Sequence, residues 1–470
     1  MKRRHGDRLS GLPDKVLERI LSSLPSAEAV RTSALSRRWR DVYAAVPVVD
    51  LVDTKVGRTH LSYDDLKVCF DQQVTGAILC KSPGTPVRAF RLDVFSPPDA
   101  LLDQWIGTVV SSGAEEIDVK LRYWHYSKRR LCPFGPSKEA SADFQTYDLN
   151  RFTKTHRCIF GCRTLRRLRL KNWTLELPLS VALSSLETLC LARIMDPDKQ
   201  LQQLLSNCPQ LADLTLQECP SVGKITVASV HLRSFTMICC HHATRIGLRS
   251  PCLQSLRYKG GLPRKSLFKV ANYPAVMALA IEICEDISTK EQTDVASVTR
   301  LITRCTNLTY LHLSLRPSMA YCSSWLTDAV SGLPLRRFGL RSLLINDQDI
   351  ESVVALLCDI QNLEFLSLFP LGAPKKWQSS YSDSESDTKS ENGIIGEGDD
   401  HDRQVPDSLL GMHIRCLDNK LRRINIGKYR ALPLEKILAK FLLSRAGALE
   451  EFSVTLANGL TRHEYNEKCI

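Results

Sequence analysis

One spacing returns along most of this 470-residue chain: an apolar residue, two variable ones, an apolar, one variable, and an apolar again. It reads LRRLRL from Leu165, LETLCL from Leu186, LADLTL from Leu211, LRSFTM from Leu232, LQSLRY from Leu253, LTYLHL from Leu308, LRRFGL from Leu335, LEFLSL from Leu363, LRRINI from Leu421 and LEEFSV from Leu449. Weaker copies begin at Val87, Ala114 and Val276. The last two apolar positions stand two apart, the period of a short strand with one buried face, and the first packs ahead of that strand. Between copies lie stretches with apolar residues at spacings of three and four: Ala100 to Gly113, Asp198 to Pro209, Val295 to Cys305 and Leu434 to Gly447. These are predicted helices.

Most successive copies start 21 to 32 residues apart, within or near the period of leucine-rich repeats. One unit of strand, turn, helix and turn cannot bury its own apolar face, whereas stacked units close a continuous core. The expected fold class is therefore α/β: an irregular leucine-rich-repeat solenoid, with a curved parallel sheet on one side and helices on the convex side. Repeats are assigned to 87–377 and 405–470. Two longer steps interrupt them, 51 residues from Ala114 to Leu165 and 58 from Leu363 to Leu421. The second contains 378–404, with eight Asp/Glu against one Lys and one Arg, an acidic insert expected to be disordered. Within it Ser382 and Ser384 precede acidic residues and are candidate phosphorylation sites.

The chain carries a formal +12. With the insert at −6, the remainder holds +18. Basic and aromatic residues interleave at Arg122, Tyr123, Trp124, Tyr126, Lys128, Arg129 and Arg130, a pattern single-stranded nucleic acid can use, although a solvated loop explains it more simply. Nucleic acid is not expected as the partner. No uninterrupted run of 18 apolar residues occurs, and MKRRHGDRLS has no apolar stretch behind it, so neither a membrane span nor a secretory signal is expected. An intracellular protein, in the nucleus or the cytoplasm or both, is anticipated. Its 17 scattered cysteines then stay reduced. CCHH at Cys239 to His242 is a possible zinc set. Adjacent strand residues point to opposite faces, however, and no CxxC pair supports it, so no metal and no cofactor is expected.

Ahead of the repeats, LPDKVLERILSSLPSAEAVRTSALSRRWRDVY spans Leu12 to Tyr43. Val16, Leu17, Ile20, Leu21 and Leu24 share one side of a helix predicted to begin after Pro13 and to end at Pro25. Ser26 is the expected N-cap of a second helix, Ala27 to Ser33, and Ser36 that of a third, in which Trp39, Val42 and Tyr43 recur at three and four spacing. Pro47 closes the unit. About 35 residues cannot bury this much apolar surface alone, so either the repeats or a partner must cover it.

The ordered Leu12-Pro13, Val16-Leu17, Ile20-Leu21, Leu24-Pro25, Val30 and Leu35-Ser36-x-x-Trp39-Arg40 closely resembles the F-box. CRTLRRLRLKNWTLELP (Cys162 to Pro178) and the segment Cys416 to Val454 resemble the repeats and the C-terminal FBD-like region of the large plant F-box/leucine-rich-repeat group. GKYRALPLEK departs from the FBD pattern, which has a more acidic lead into its helix. The resemblance implies a flexible start at 1–7, an F-box at 8–47, a connecting segment at 48–86 and FBD-like final repeats at 405–470.

It also implies that the F-box binds a Skp-type adaptor, and through it a cullin and a RING subunit, using Leu12, Pro13, Val16, Leu17, Ile20, Leu21, Leu24, Leu35 and Trp39. The repeats would hold an unknown target protein. Variable strand positions Arg166, Arg167, Arg169, Thr309, His312, Arg336 and Arg337 are the candidates for that surface, with an acidic or phosphorylated segment as natural complement. No GxSxG, HExxH, Walker loop or RING-like cysteine spacing is found. The expectation is a non-catalytic substrate receptor of a ubiquitin ligase, with a tethered binding scaffold as the alternative.

Overall fold

The computed structural model describes residues 9, 11–53, 63–81, 85–122, 132–134, 153–154, 157–264, 266–285, 292–344, 346–371, 409 and 411–457. The first seven residues, the run from Tyr123 to Arg130, and the acidic insert with Ser382 and Ser384 lie outside them. Two compact units divide the chain: Met1–Gly260 with Lys265–Asn272, and Gly261–Arg264 with Tyr273–Ile470.

In the first unit three short helices come first: α1 (Asp14–Leu21), α2 (Ser26–Thr32) and α3 (Arg37–Ala45). Pro13 precedes α1, Asp14 occupies its first turn and Arg19 its last, the charge order that suits a helix dipole. Ser36 caps α3 as expected, its side chain accepting from the Trp39 N–H. Ser26 does not cap α2. Pro25 holds that position, and the Ser26 hydroxyl accepts instead from the Asp50 N–H at 2.7 Å. That bond ties α2 to β1 (Val48–Val52), the first strand of the sheet.

The segment 48–86 is therefore more than a connection. β1 pairs in parallel with β2 (Ala89–Phe95), and between them runs α4 (Tyr63–Leu79). Val46, Val49 and Leu51 repeat the spacing of the later copies, and all three are buried. Beyond β2 come α5 (Asp99–Ser111), β3 (Glu116–Arg122), and strands 167–171, 188–192, 213–217, 234–238 and 255–260, each parallel to its neighbour. Leu168 and Leu170, Leu189 and Leu191, Leu214 and Leu216 alternate inward with two-residue period, and the leading Leu165, Leu186 and Leu211 are equally buried.

Strands in this unit end on one recurring turn. Ser96, Asn172, Arg193, Glu218 and Cys239 follow their strands with φ of 43° to 59°, the left-handed region that non-glycine residues rarely occupy. Each donates its N–H to the end of a neighbouring strand: Ser96 to the Arg122 carbonyl, Asn172 to Ala192, Arg193 to Gln217, Glu218 to Ile238 and Cys239 to Lys259, at 2.6 to 3.0 Å. These bonds hold the unfavourable backbone in place.

The predicted helix at 198–209 forms over Asp198–Ser206. Copies starting at Leu211, Leu232 and Leu253 differ from the strand–helix unit. Spaced 21 residues apart, they leave too little chain for a helical return, and their return segments extend instead. Lys224–Val227, Arg245–Leu248 and Phe268–Val270 make a second, three-stranded parallel sheet.

Asp196 marks another junction of this unit. It is 5% exposed, accepts the Leu175 N–H at 2.7 Å, and burial pushes its carboxyl up to about 6. The folded chain thus holds a proton there that the unfolded chain releases, and this contribution to stability declines as pH rises from about 4 to about 6. Asp196→Asn keeps an acceptor and removes the titration. Its thermal midpoint relative to wild type is expected to rise across that window and to level off above it. A constant difference from pH 4 to pH 7 would refute this.

The second unit carries parallel strands 278–283, 310–318, 337–343, 365–371, 423–429 and 451–456. Helices Gln292–Arg304, Met319–Val330, Asp347–Asp359 and Pro433–Arg445 intervene. The predicted helices at 295–305 and 434–447 thus form within two or three residues of their expected ends. At GKYRALPLEK the buried Glu435 carboxylate accepts the Arg430 N–H at 2.7 Å and the Leu432 N–H at 3.4 Å, closing the turn before the last helix.

Candidate functional site

The F-box-like module sorts its apolar residues into two sets. Leu17, Leu21, Ala29, Trp39, Val42, Tyr43 and Val46 make the buried cluster, with Leu12, Leu24 and Val48 packed partly buried against it. Val48 belongs to β1, so the sheet itself covers one side of the helices. Pro13, Val16, Ile20 and Leu35 remain exposed, Val16 at 42%, Ile20 at 40% and Leu35 at 70%. Val16 and Ile20 stand one turn apart on α1 and are neighbours on its outer side. Leu17, Leu21 and Trp39 of the expected set are buried in the module's own core. Leu12 and Leu24 lie between the two groups.

Sequence reasoning passed over Arg38, a variable position in Leu-Ser-x-x-Trp-Arg. Its guanidinium donates to the Asp14 carboxylate at 2.6 and 2.9 Å and to the Leu12 carbonyl at 2.5 Å, fastening α3 to the start of α1. Beside α2, β1 and α4 lies a cavity of about 630 Å3 lined by Val30, Tyr43, Val52, Phe70 and Ala77 among others. The Lys81 ammonium sits 4.4 Å over the Tyr43 ring.

On the strand faces, the candidate arginines of the first unit already have partners. Arg166 reaches Glu187 at 3.1 Å, Arg167 reaches Glu116 at 3.3 Å and Arg169 reaches Asp118 at 3.7 Å. Register explains this: Asp50, Arg91, Asp118 and Arg169 lie opposite one another on consecutive strands, as do Glu116 and Arg167. Arg91 also bonds Glu116 at 2.8 Å, and that bond holds the Glu116 carboxyl below its usual range. Asp118 goes the other way, pushed up by burial despite Lys120 and Arg169 beside it. The outcome is a ladder of alternating charge on this face. Arg122 likewise pairs with Asp93 at 2.6 Å.

Of the other candidates, all in the second unit, Arg336 pairs with Glu364 at 3.4 Å, Arg337 is exposed, and Thr309 and His312 are half-buried. His312 lies across Gly339, where an added Cβ would fall 2.4 Å from its Nδ1, and its ring meets that of Phe369 edge-on at 6.2 Å. Ser367, Asn425 and Ser453 continue the same row, hydrogen-bonded at 3.4 and 3.3 Å. This face is therefore small and polar along its middle. Tyr310, Arg337, Phe365 and Arg423 form the row at one side.

A further basic site comes from the three-stranded sheet. Lys224, Arg245, Arg249 and Lys269 line a cavity of about 490 Å3 around Gly247, with no acidic residue among the described residues of its lining. Its signal in the sequence was hidden, because these residues converge only once the 21-residue returns pair as strands.

Comparison with known proteins agrees with this anatomy. The F-box domain family matches residues 9–42. The family described as FBD-associated F-box protein At5g56370, LRR repeats, matches residues 143–281. Among curated relatives, the putative F-box/FBD/LRR-repeat protein At4g00315 of Arabidopsis thaliana is 29% identical over 262 residues, 53% of this chain and 53% of its own length. F-box/LRR-repeat protein 13 of the same plant is 29% identical over 243 residues, 49% of this chain and 46% of that protein. The FBD-associated F-box protein At4g10400, also from Arabidopsis thaliana, is 28% identical over 289 residues, 59% of this chain and 61% of that protein. The chain spans about half the length of the curated relatives it matches. The chain thus carries an F-box at residues 9–42 and FBD-associated leucine-rich repeats at residues 143–281, and F-box/FBD/LRR-repeat proteins of Arabidopsis thaliana are among its relatives.

Proposed function

We propose that the chain is a non-catalytic substrate-receptor subunit of a Skp-cullin-F-box ubiquitin ligase, working inside the cell. The observation that carries this reading is the exposed apolar set Pro13, Val16, Ile20 and Leu35 on a helical module whose core is already complete. Burying such side chains against a partner gains about 25 cal/mol per Å2 of apolar surface. The F-box docks there on a Skp-type adaptor, which links it to the cullin and RING subunits. The repeats hold a target protein so that a ubiquitin-loaded enzyme meets its lysines at high effective concentration.

The strand faces favour a protein target of mixed charge over a polyanion, since Arg166, Arg167, Arg169 and Arg336 are each paired with a carboxylate. Reconstitution tests the reading. The full chain, a Skp-type adaptor, cullin and RING subunit are expected to co-elute and, with activating and conjugating enzymes, to ubiquitinate proteins captured by the repeats. Co-elution without any transfer would favour a tethered scaffold, and failure to co-elute would end the proposal.

A further inference from the structure

The long step between β3 and strand 167–171 brings Cys132 to the turn that follows strand 234–238. There the Sγ atoms of Cys132 and Cys239 and an imidazole nitrogen of His241 all lie within 4.8 Å of one another. CCHH lies beyond the end of strand 234–238, where strand alternation no longer applies, and the turn that starts at the left-handed Cys239 brings the donor atoms of Cys239 and His241, two residues apart, together. Cys240 turns the opposite way, its thiol directed at the Leu216 and Ile238 carbonyls at 3.7 and 3.6 Å. Cys239 is fixed by its left-handed backbone and by the bond from its N–H to the Lys259 carbonyl at 2.6 Å. The third donor is 107 residues away in sequence, so no local spacing reveals it.

A second observation points to a ligand. The Nε2 of His241 is buried from solvent and has no hydrogen-bond partner among the described residues. Its ring is positioned by Phe134, two residues after Cys132, edge-on at 5.3 Å. A buried ring nitrogen left without a bond is costly, and a metal ion beside two thiols satisfies it.

We propose that Cys132, Cys239 and His241 bind one zinc ion, with water in the fourth position. Two thiolates and one imidazole are the donors that a borderline-soft divalent ion prefers. Tetrahedral bonds of about 2.0 to 2.3 Å place donors roughly 3.3 to 3.8 Å apart, so no pair of donors needs to close by more than about 1.5 Å. Binding is balanced without redox chemistry: Zn2+ replaces the two thiol protons, which leave to solvent, and the neutral imidazole contributes its lone pair. The ion ties residues that follow β3 to the end of a strand four places along the sheet, and loop closure of that kind stabilises the folded chain.

The test uses the full chain, reduced and stripped of metal, titrated with Co2+ and then Zn2+. One Co2+ per chain is expected, with thiolate-to-cobalt charge-transfer absorption and the visible bands of tetrahedral cobalt, both removed by Zn2+. Cys132→Ser and His241→Gln are each expected to weaken binding by at least about tenfold, the scale that loss of an outer-shell partner alone produces. Zinc should also raise the thermal midpoint of wild type and leave both variants unmoved. Cys69→Ser, which removes an exposed thiol on α4, should behave as wild type. Equal cobalt spectra in wild type and folded Cys132→Ser would overturn the proposal. So would a Cys132–Cys239 disulfide found by mass spectrometry under conditions that saturate with zinc.

Discussion

Val16→Asp combined with Ile20→Asp is expected to abolish capture of a Skp-type adaptor while the chain stays folded, and Leu17→Ala to do the opposite. Val16 and Ile20 are two-fifths exposed, so carboxylates there remain hydrated in the free chain and cost little. On docking the same positions lose water. Each branched side chain forfeits about 0.6 to 1.2 kcal/mol, the two-fifths still open of the ~1.5 to 3 kcal/mol that full burial brings, and an unpaired carboxylate adds a desolvation penalty at each position. A combined loss above about 4 kcal/mol lowers affinity roughly 1,000-fold. Leu17, at 0% exposed, belongs to the core of the helical module. Its truncation removes about 2 to 5 kcal/mol from the helical module, lowering the denaturation midpoint with adaptor affinity retained below it. Calorimetric titration with circular dichroism on both variants separates the cases. Wild-type affinity in a folded aspartate variant would place the adaptor elsewhere.

That partition of α1 shows what a sequence can and cannot disclose. Period and proline placement define α1 and the apolar side, and Ser36 is legible as a cap. A helix whose apolar arc is wide enough to serve two neighbours does not say which residue faces which, and only packing against α3 decides. Strands were the clearest elements, since Leu-x-x-Leu-x-Leu marks one buried residue ahead of each strand and two within it in every copy but the last. β1 shows the same spacing in Val46, Val49 and Leu51, but a proline inside it and the adjoining helical motif disguised it.

Recognition residues were hardest to read. Arg167 and Arg169 look like free cations along the chain, and their partners Glu116 and Asp118 lie about fifty residues upstream, brought alongside by parallel register. The same long-range pairing hides the Lys224, Arg245, Arg249 and Lys269 cavity and the meeting of Cys132 with His241. Local patterns report which face a residue takes, whereas a site made of separate repeats depends on the step between them.

Trp173→Ala is expected to cost the chain about 3 to 5 kcal/mol, a large share of the 5 to 15 kcal/mol that typically holds a folded protein together. Trp173 is fully buried and its indole N–H donates to the Val119 carbonyl at 3.2 Å. Before it, Asn172 turns left-handed and donates its side-chain amide to the Leu121 carbonyl at 2.5 Å. The pair locks the end of strand 167–171 onto β3 across the long step that separates them in sequence. Removing the indole leaves a cavity that two hydrogen-bonded strands cannot close. Trp173→Phe keeps most of the volume and gives up the indole bond, worth about 1 kcal/mol. In a solenoid each repeat leans on its immediate neighbours. Hydrogen exchange is therefore expected to accelerate in β3 and in strands 167–171 and 188–192 of the alanine variant, with strands 423–429 and 451–456 unchanged. Urea denaturation gives the magnitude from the midpoint at constant slope. A loss below about 1 kcal/mol would mean that Trp173 fills space the neighbouring side chains can reclaim, and that the lock rests on Asn172 alone.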